Sequence, residues 1–415
     1  MADSPWKPRV VDREELRSVL DLTSVAFGEG PIAPEARWDE YRRIAEPDRT
    51  FVVEDDGQMV GTGGAFSFEV ALPGGSSLPM CGVTWVGVLP THRRRGILNT
   101  VMRAILDQAV DRGEALAGLT ASEGVIYRRF GFGVGARYQS VSLDTNRADE
   151  LADSTVPGGF RLVGWDEAMV LLPEVWERHW RRTGAEVRRT DGWWQSLRID
   201  PEMDRDGASP LYVVVHDDVD GRADGFATYR HMEGGAMEGD YDELRVDSIA
   251  AVDDQVERAV LRYLVDIDLT RKLTWSHAPV DLPLRWSLAD PRGIKVTRER
   301  DMVWARPLDV AVCLSTRGYV AGPDGAVIEV VDSSRPELGG CFRLDAGADG
   351  AECVRTDAEP DVIVGQPELG TLLYGDVSWT NLRRAGLVDE RTPGTVDRLD
   401  TIFRTARAPH CATDF

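Results

Sequence analysis

The sequence predicts a mixed α/β protein in which two related α/β units stand in tandem and an α+β domain follows. Three observations predict this. The chain has 415 residues, and single cores stop growing near roughly 250–300 residues, so about three domains are expected. Strand and helix signals alternate over residues 1–150, the pattern of helices packed on a mixed sheet. From Phe160 the same order returns in outline, as in a degenerate duplicate. The expected domains are 1–150, 151–300 and 301–415.

In the first unit Phe51-Val52-Val53-Glu54 reads as a strand and Asp55-Asp56-Gly57 as a hairpin turn. Gln58 to Val70 is the returning strand, loosened by glycines. Val83 to Leu89 is a further apolar strand. The loop from Pro90 to Gly96 then opens a helix in which Ile97, Val101, Ile105 and Ala109 share one apolar face with Leu98, Met102, Leu106 and Val110. Arg112-Gly113 ends it. Ala115 to Thr120 reads as a strand and Ile126 to Phe130 as a short helix. The polar stretch Asn146 to Gly159 marks the first boundary.

In the second unit a helix-like segment, Glu167 to Arg182, leads to Trp193-Trp194, which is expected to pack that domain. Leu211 to His216 and Gly225 to His231 form a hairpin pair around Asp217 to Asp224. Leu244 to Ala250 is a strand and Asp254 to Ile267 a helix, without the arginine-glycine loop of the first unit. From Asp301, short strands (Gly325 to Val331, Gly340 to Leu344, Glu352 to Arg355) and helix-like Pro367 to Leu373 and Thr380 to Ala385 make an α+β domain. It contains no recognisable catalytic cluster.

Composition narrows the function. The net charge of −22 repels nucleic acid and anionic lipid and attracts cationic amines, besides keeping the protein in solution. No run of about 18 apolar residues is present, so no transmembrane helix is expected. The N-terminus has no apolar segment of the kind that directs secretion. Cys81, Cys313, Cys341, Cys353 and Cys411 are odd in number and lack metal-ligand spacing, which argues against a disulfide framework and a zinc site. A cytoplasmic protein without a metal is expected.

The strongest chemical signal runs from Val86 to Leu98: a strand delivers Arg93-Arg94-Arg95-Gly96 onto the start of a helix. First-turn N–H groups have no intrahelical partner, and the helix dipole puts partial positive charge there. Such an end binds anions. Gly96 lets backbone approach a phosphate closely, and Arg94 and Arg95 add charge, so a diphosphate is the natural guest. Since only Lys7, Lys272 and Lys295 are lysines, a solvated arginine loop of codon-biased origin is the alternative reading.

This strand, loop and helix resemble the coenzyme A site of the GNAT N-acetyltransferases. The signature Gln/Arg-x-x-Gly-x-Gly/Ala reads here Arg93-x-x-Gly96-x-Leu98, departing at the last position. Pro90-Thr91-His92-Arg93-Arg94-Arg95-Gly96 and Ala121-Ser122-Glu123-Gly124-Val125-Ile126-Tyr127-Arg128-Arg129-Phe130-Gly131-Phe132-Gly133 resemble the enhanced intracellular survival (Eis) branch. The likeness spans the chain: two GNAT-like α/β domains in tandem, then a C-terminal α+β domain resembling sterol carrier protein, which Gly370 to Gly386 with Asp361 fits loosely.

The resemblance implies acetyl-CoA as acyl donor. Val86, Gly87 and Val88 would bind its pantetheine arm, and Arg94, Arg95, Gly96, Ile97, Leu98 and Asn99 its diphosphate. Ser122 and Glu123 match a further cofactor contact. Tyr127 matches the family's general acid, a phenol that protonates the departing thiolate. The carboxylate of Phe415 matches the general base, and a final aromatic residue suggests a chain end that is tucked in. An α-carboxyl with an ordinary pKa of about 3.5 needs desolvation or a water relay to serve. Trp85, Trp38, Phe27 and Asp414 would form an acidic, aromatic acceptor cleft for polyamines such as aminoglycosides, where indole faces add cation–π attraction. A homohexamer built as a dimer of trimers is the implied assembly. The alternatives are an acyltransferase for protein lysine or longer acyl groups, and a non-catalytic acyl-CoA or lipid binder.

Overall fold

The computed structural model describes residues 5–149, 154–232, 242–320 and 322–415. Three sheets organise them. Across the first lie Arg9–Val10, Phe51–Asp55, Gln58–Ala71, Ser77–Val88, Leu116–Thr120, Val303–Pro307 and Gly133–Val134. Across the second lie Gly159–Val163, Tyr212–Asp217, Ala223–Met232, Asp242–Ala251, Thr270–Pro279, Arg137–Asp144 and Ile294–Asp301. The two orders match position by position, which bears out the duplication.

The match includes an exchange of strands that crosses the expected boundaries. Val303–Pro307, beyond residue 300, pairs with Leu116–Thr120 in the first sheet. Arg137–Asp144, short of residue 150, pairs with Thr270–Pro279 and Ile294–Asp301 in the second. Where the segments cross, the Gly135 and Ala136 N–H groups donate to the Val303 carbonyl (2.8 and 3.0 Å) and the Met302 N–H donates to Ala136 (2.8 Å). Strand periodicity records which face is buried and not which sheet the strand joins. The boundary at 150/151 lies outside the described residues.

The third sheet takes Gly350–Arg355, Gly340–Gly347, Asp324–Val331, Val362–Gly365 and Val388–Glu390 in that order. Its core, with Leu372, Tyr374, Trp379 and Phe403, is continuous with Phe66, Phe68 and Val70 of the first unit. Burial thus ties the third domain to the wall of the first.

Helix Ile97–Asp111 packs its apolar face on the returning strand. A Cβ at Gly61 would lie 2.3 Å from Ile97 Cγ2, and one at Gly63 2.6 Å from Val101 Cγ1. The glycines there are the condition for close helix-on-sheet contact, which fixes where the helix begins. No helix among the described residues is long and apolar enough to cross a membrane.

Candidate active site

Strands Ser77–Val88 and Leu116–Thr120 run parallel only through Met80–Leu116, Cys81–Ala117 and Gly82–Gly118. Beyond that they part. On its other side the first strand carries a register irregularity opposite Thr62 and Gly64, where Trp85 adopts φ of 48°. A bulge of this kind re-aims the strand's end. The resulting cleft encloses about 910 Å³.

Val86, Gly87 and Val88 form one wall of this cleft, Ser122, Glu123 and Tyr127 another. At its base Arg94 (φ 63°) and Gly96 (φ 88°) are both left-handed, a turn that gathers backbone N–H groups. Gly96 caps the helix without a side-chain hydrogen bond, and a Cβ there would meet nothing within 4 Å. The helix's first N–H groups therefore face an open cradle. Ile97, Leu98 and Asn99 line it, Ile97 through backbone because its side chain is buried.

Arg95 corrects the sequence reading. Its guanidinium turns to Asp55 (3.5 Å) and lies over the Trp6 ring (5.1 Å), away from the cleft. Arg93 takes its place on the wall, tethered to the Ala26 carbonyl (2.8 Å).

Tyr127 ends the short helix Gly124–Tyr127 and is 7% exposed. Burial holds its phenol pKa above the ordinary value; a hydrogen bond with Ser122 acts in the opposite direction, and the charge of Glu123 adds to burial. The phenol stays protonated through the neutral range. Cys81, buried in the strand beneath, is pushed up to about 12 by burial and is no nucleophile.

A second cleft of about 720 Å³ opens on the far side of Tyr127 and shares Phe27, Val86, Ser122 and Tyr127 with the first. Its walls carry Phe66, Trp85, Tyr138 and Trp193, and the carboxylates of Glu40, Asp301 and Asp414. Arg300 is the guanidinium on this wall. A further cavity of about 350 Å³ continues from it past Glu40, Trp193 and Asp414 to Asp200, Asp204 and Asp247.

Two aromatic expectations change. Trp38 stacks on Tyr41 (6.2 Å) beneath Arg17 (5.7 Å) and does not line the cleft. On helix Glu35–Ile44 it shares a face with Tyr41, while Glu40 and Ile44 share the face toward the cleft. Trp193, expected in the core of the second unit, contacts Phe66 (5.1 Å) across the cleft; Trp194 alone packs inward, against Trp176.

The chain end reaches the same place. The Thr120 hydroxyl donates to the terminal carboxylate of Phe415, and the Phe415 ring meets Phe68 edge-on (4.9 Å). Upstream, Glu186, 2% exposed, accepts from the Ala412 N–H (2.6 Å) and the Thr413 hydroxyl (3.0 Å). Arg189 donates to Thr413 Oγ1 (2.9 Å) from above Trp176 (3.7 Å). Sequence reasoning missed Thr120, Glu186 and Arg189. Their only signal is a carboxylate set between the apolar Ala185 and Val187.

Comparison with known proteins fits this architecture. Family models for the acetyltransferase (GNAT) domain match residues 7–135 and 185–307, and one for the sterol carrier protein domain matches 310–412. An uncharacterized N-acetyltransferase of Streptomyces avermitilis is 36% identical over 97% of both chains. The N-acetyltransferase Eis of Mycobacterium bovis is 29% identical over 92% of this chain and 93% of its own. The crystal structure of Eis1 from Mycobacterium abscessus superposes with a TM-score of 0.87 at 31% identity, covering 99% of this chain and 100% of that one. The chain belongs to the Eis family of GNAT N-acetyltransferases. As an Eis-family enzyme it is an N-acetyltransferase, and its GNAT fold implies use of acetyl-CoA. The open cradle at Gly96 and the parted strand at Val86–Val88 are the features of this structure that suit such a donor.

Proposed function

We propose that the enzyme transfers an acetyl group from acetyl-CoA directly to an amine of a cationic polyamine acceptor, aminoglycosides among them. The observation that carries this reading is the meeting of two clefts at Tyr127, one with a backbone anion cradle and one walled by carboxylates and aromatic rings, with the chain terminus beside them.

When bound, acetyl-CoA supplies an acetyl group activated as a thioester. The cradle of Arg94 and Gly96 to Asn99, with Arg93 on its wall, would hold its diphosphate, and the free edge at Val86–Val88 would orient its arm toward Tyr127. The Phe415 carboxylate takes a proton from the acceptor amine. The Tyr127 phenol, kept protonated by burial, gives one to the thiolate that leaves. Glu40, Asp301 and Asp414 pair with ammonium groups, and Trp85 and Trp193 offer indole faces to them. Holding both reactants together supplies much of the rate.

Initial rates measured while acetyl-CoA and an aminoglycoside are both varied test this reading. Intersecting lines support direct transfer in a ternary complex. Parallel lines would indicate an acyl-enzyme, and no rate at all would refute the acceptor class. Two substitutions test the clefts separately. A left-handed residue costs roughly 1–2 kcal/mol when it is not glycine, so Gly96→Ala is expected to raise the Kd for acetyl-CoA about tenfold by calorimetry. An unchanged Kd would remove the cradle from the donor site. Asp414→Asn is expected to raise the acceptor KM about twofold to fivefold, the size of an exposed charge pair, without moving the KM for acetyl-CoA. An unchanged acceptor KM would take Asp414 out of the acceptor site.

The family resemblance supports a hexamer of two trimers as the assembly and the cytoplasm as the compartment. A light-scattering mass of one chain would refute the hexamer.

A further inference from the structure

The opening that serves the first unit as a donor cleft is repeated in the second. There the corresponding strands, Asp242–Ala251 and Thr270–Pro279, run parallel from Asp242–Thr270 to Val246–Trp275 and then part. Helix Asp254–Val265 bridges them, as Ile97–Asp111 bridges the pair in the first unit. A cavity of about 200 Å³ marks the second opening, between Ile249, Ala251, Trp275 and Pro279 and the first turn of the helix at Asp254 and Glu257.

Its chemistry is the reverse of the first. Gly96 leaves the first helix uncapped. Asp253 caps the second, accepting from the Gln255 and Val256 N–H groups at 2.8 and 2.9 Å. The loop that spans residues 89–96 in the first unit shrinks to Val252-Asp253. With its first N–H groups already bonded to one carboxylate, and with Asp254 and Glu257 in its first turn pairing with Arg182, this helix offers a diphosphate no open cradle.

A cation from the chain's own end fits instead. The Arg407 guanidinium donates to Asp254 and to Glu257 (2.9 Å). The tail then crosses the opening: the Ala408 N–H donates to Asp281 (2.8 Å) and His410 Nε2 bonds the His277 carbonyl of the parted strand (2.8 Å). The next anchor is Glu186 at Ala412, and the last is Thr120 at Phe415.

We propose that the second unit's donor opening holds the chain's own tail in place of an acyl donor, and that Arg407, clamped by Asp254 and Glu257, is a positioning residue for the Phe415 carboxylate. This rests on the reading of that carboxylate as the base. A tail seated at Arg407 enters the active site along a fixed line, so loosening it displaces the base and leaves the donor cleft alone.

The test uses the full chain with its native end and compares Arg407→Ala, Arg407→Lys and deletion of Phe415. Arg407→Ala is expected to lower kcat about tenfold or more, since a displacement near 1 Å suffices for such losses. Its Kd for acetyl-CoA should stay that of the wild type, and Arg407→Lys should recover most of the rate. Calorimetry on the wild type should count one acetyl-CoA per chain. A wild-type kcat in Arg407→Ala, with activity lost on deleting Phe415, overturns the positioning role and spares the base. Full activity without Phe415 overturns the base reading, and this inference with it. Two acetyl-CoA per chain overturns the occupied opening whatever the variants do. If Arg407→Ala fails to fold, Glu257→Gln is read for the same separation of kcat from Kd.

Discussion

Tyr127→Phe is expected to lower kcat by about 10²–10³-fold while acetyl-CoA affinity stays unchanged, because positioned proton transfer contributes on that scale. The substitution removes one oxygen. The ring keeps its place against Phe132, and the cradle at Gly96 lies outside the change. The sign of the pH effect follows from burial. The folded phenol titrates above its ordinary value, which is about 10 for tyrosine. An acid with a raised pKa loses its proton only as pH climbs past that value. The wild type should therefore show no alkaline fall in kcat from this group below pH about 10. A variant with wild-type kcat, or an alkaline limb near neutrality that the variant abolishes, would contradict the assignment.

Removing or extending the chain end should have an effect of comparable size. Deletion of Phe415 withdraws the carboxylate from Thr120 and the ring from Phe68 together, and a C-terminal tag converts the carboxylate to an amide. Either change should reduce turnover by about 10²-fold or more. Binding of acetyl-CoA should persist, since the cleft with the Gly96 cradle lies across Tyr127 from the terminus. Phe415→Ala separates the two contributions by keeping a carboxylate and losing the ring. An intermediate rate is expected there, set by how well the Arg407, Glu186 and Arg189 contacts hold the tail without the ring. Full turnover in a tagged enzyme would end the carboxylate's role.

What the sequence disclosed follows from how local each feature is. The open cradle at Gly96 was legible because strand end, turn and helix start are contiguous and act through backbone. The place of Tyr127 between the clefts was legible within one short motif, and that of Phe415 beside it through resemblance. Arg95 misled because consecutive residues of a left-handed turn point apart, and adjacency says nothing of direction. Trp38 misled for a helical reason: the face that meets the cleft begins at Glu40. The strand exchange and the Glu186–Arg189 clamp join segments distant in the chain. No spacing rule reaches across such a gap, and only packing reveals which partner each strand or buried charge has found.

The most direct test of the whole account is mass spectrometry of candidate acceptors after incubation with acetyl-CoA and native-ended enzyme. Aminoglycosides, simple polyamines and lysine peptides belong in one panel, with thiol release followed in parallel. The account predicts acetylated multi-amine acceptors, thiol released in step with product, and loss of both in Tyr127→Phe and in the chain without Phe415. Acetylation confined to lysine peptides, or multi-amine acetylation undiminished in both variants, would contradict it.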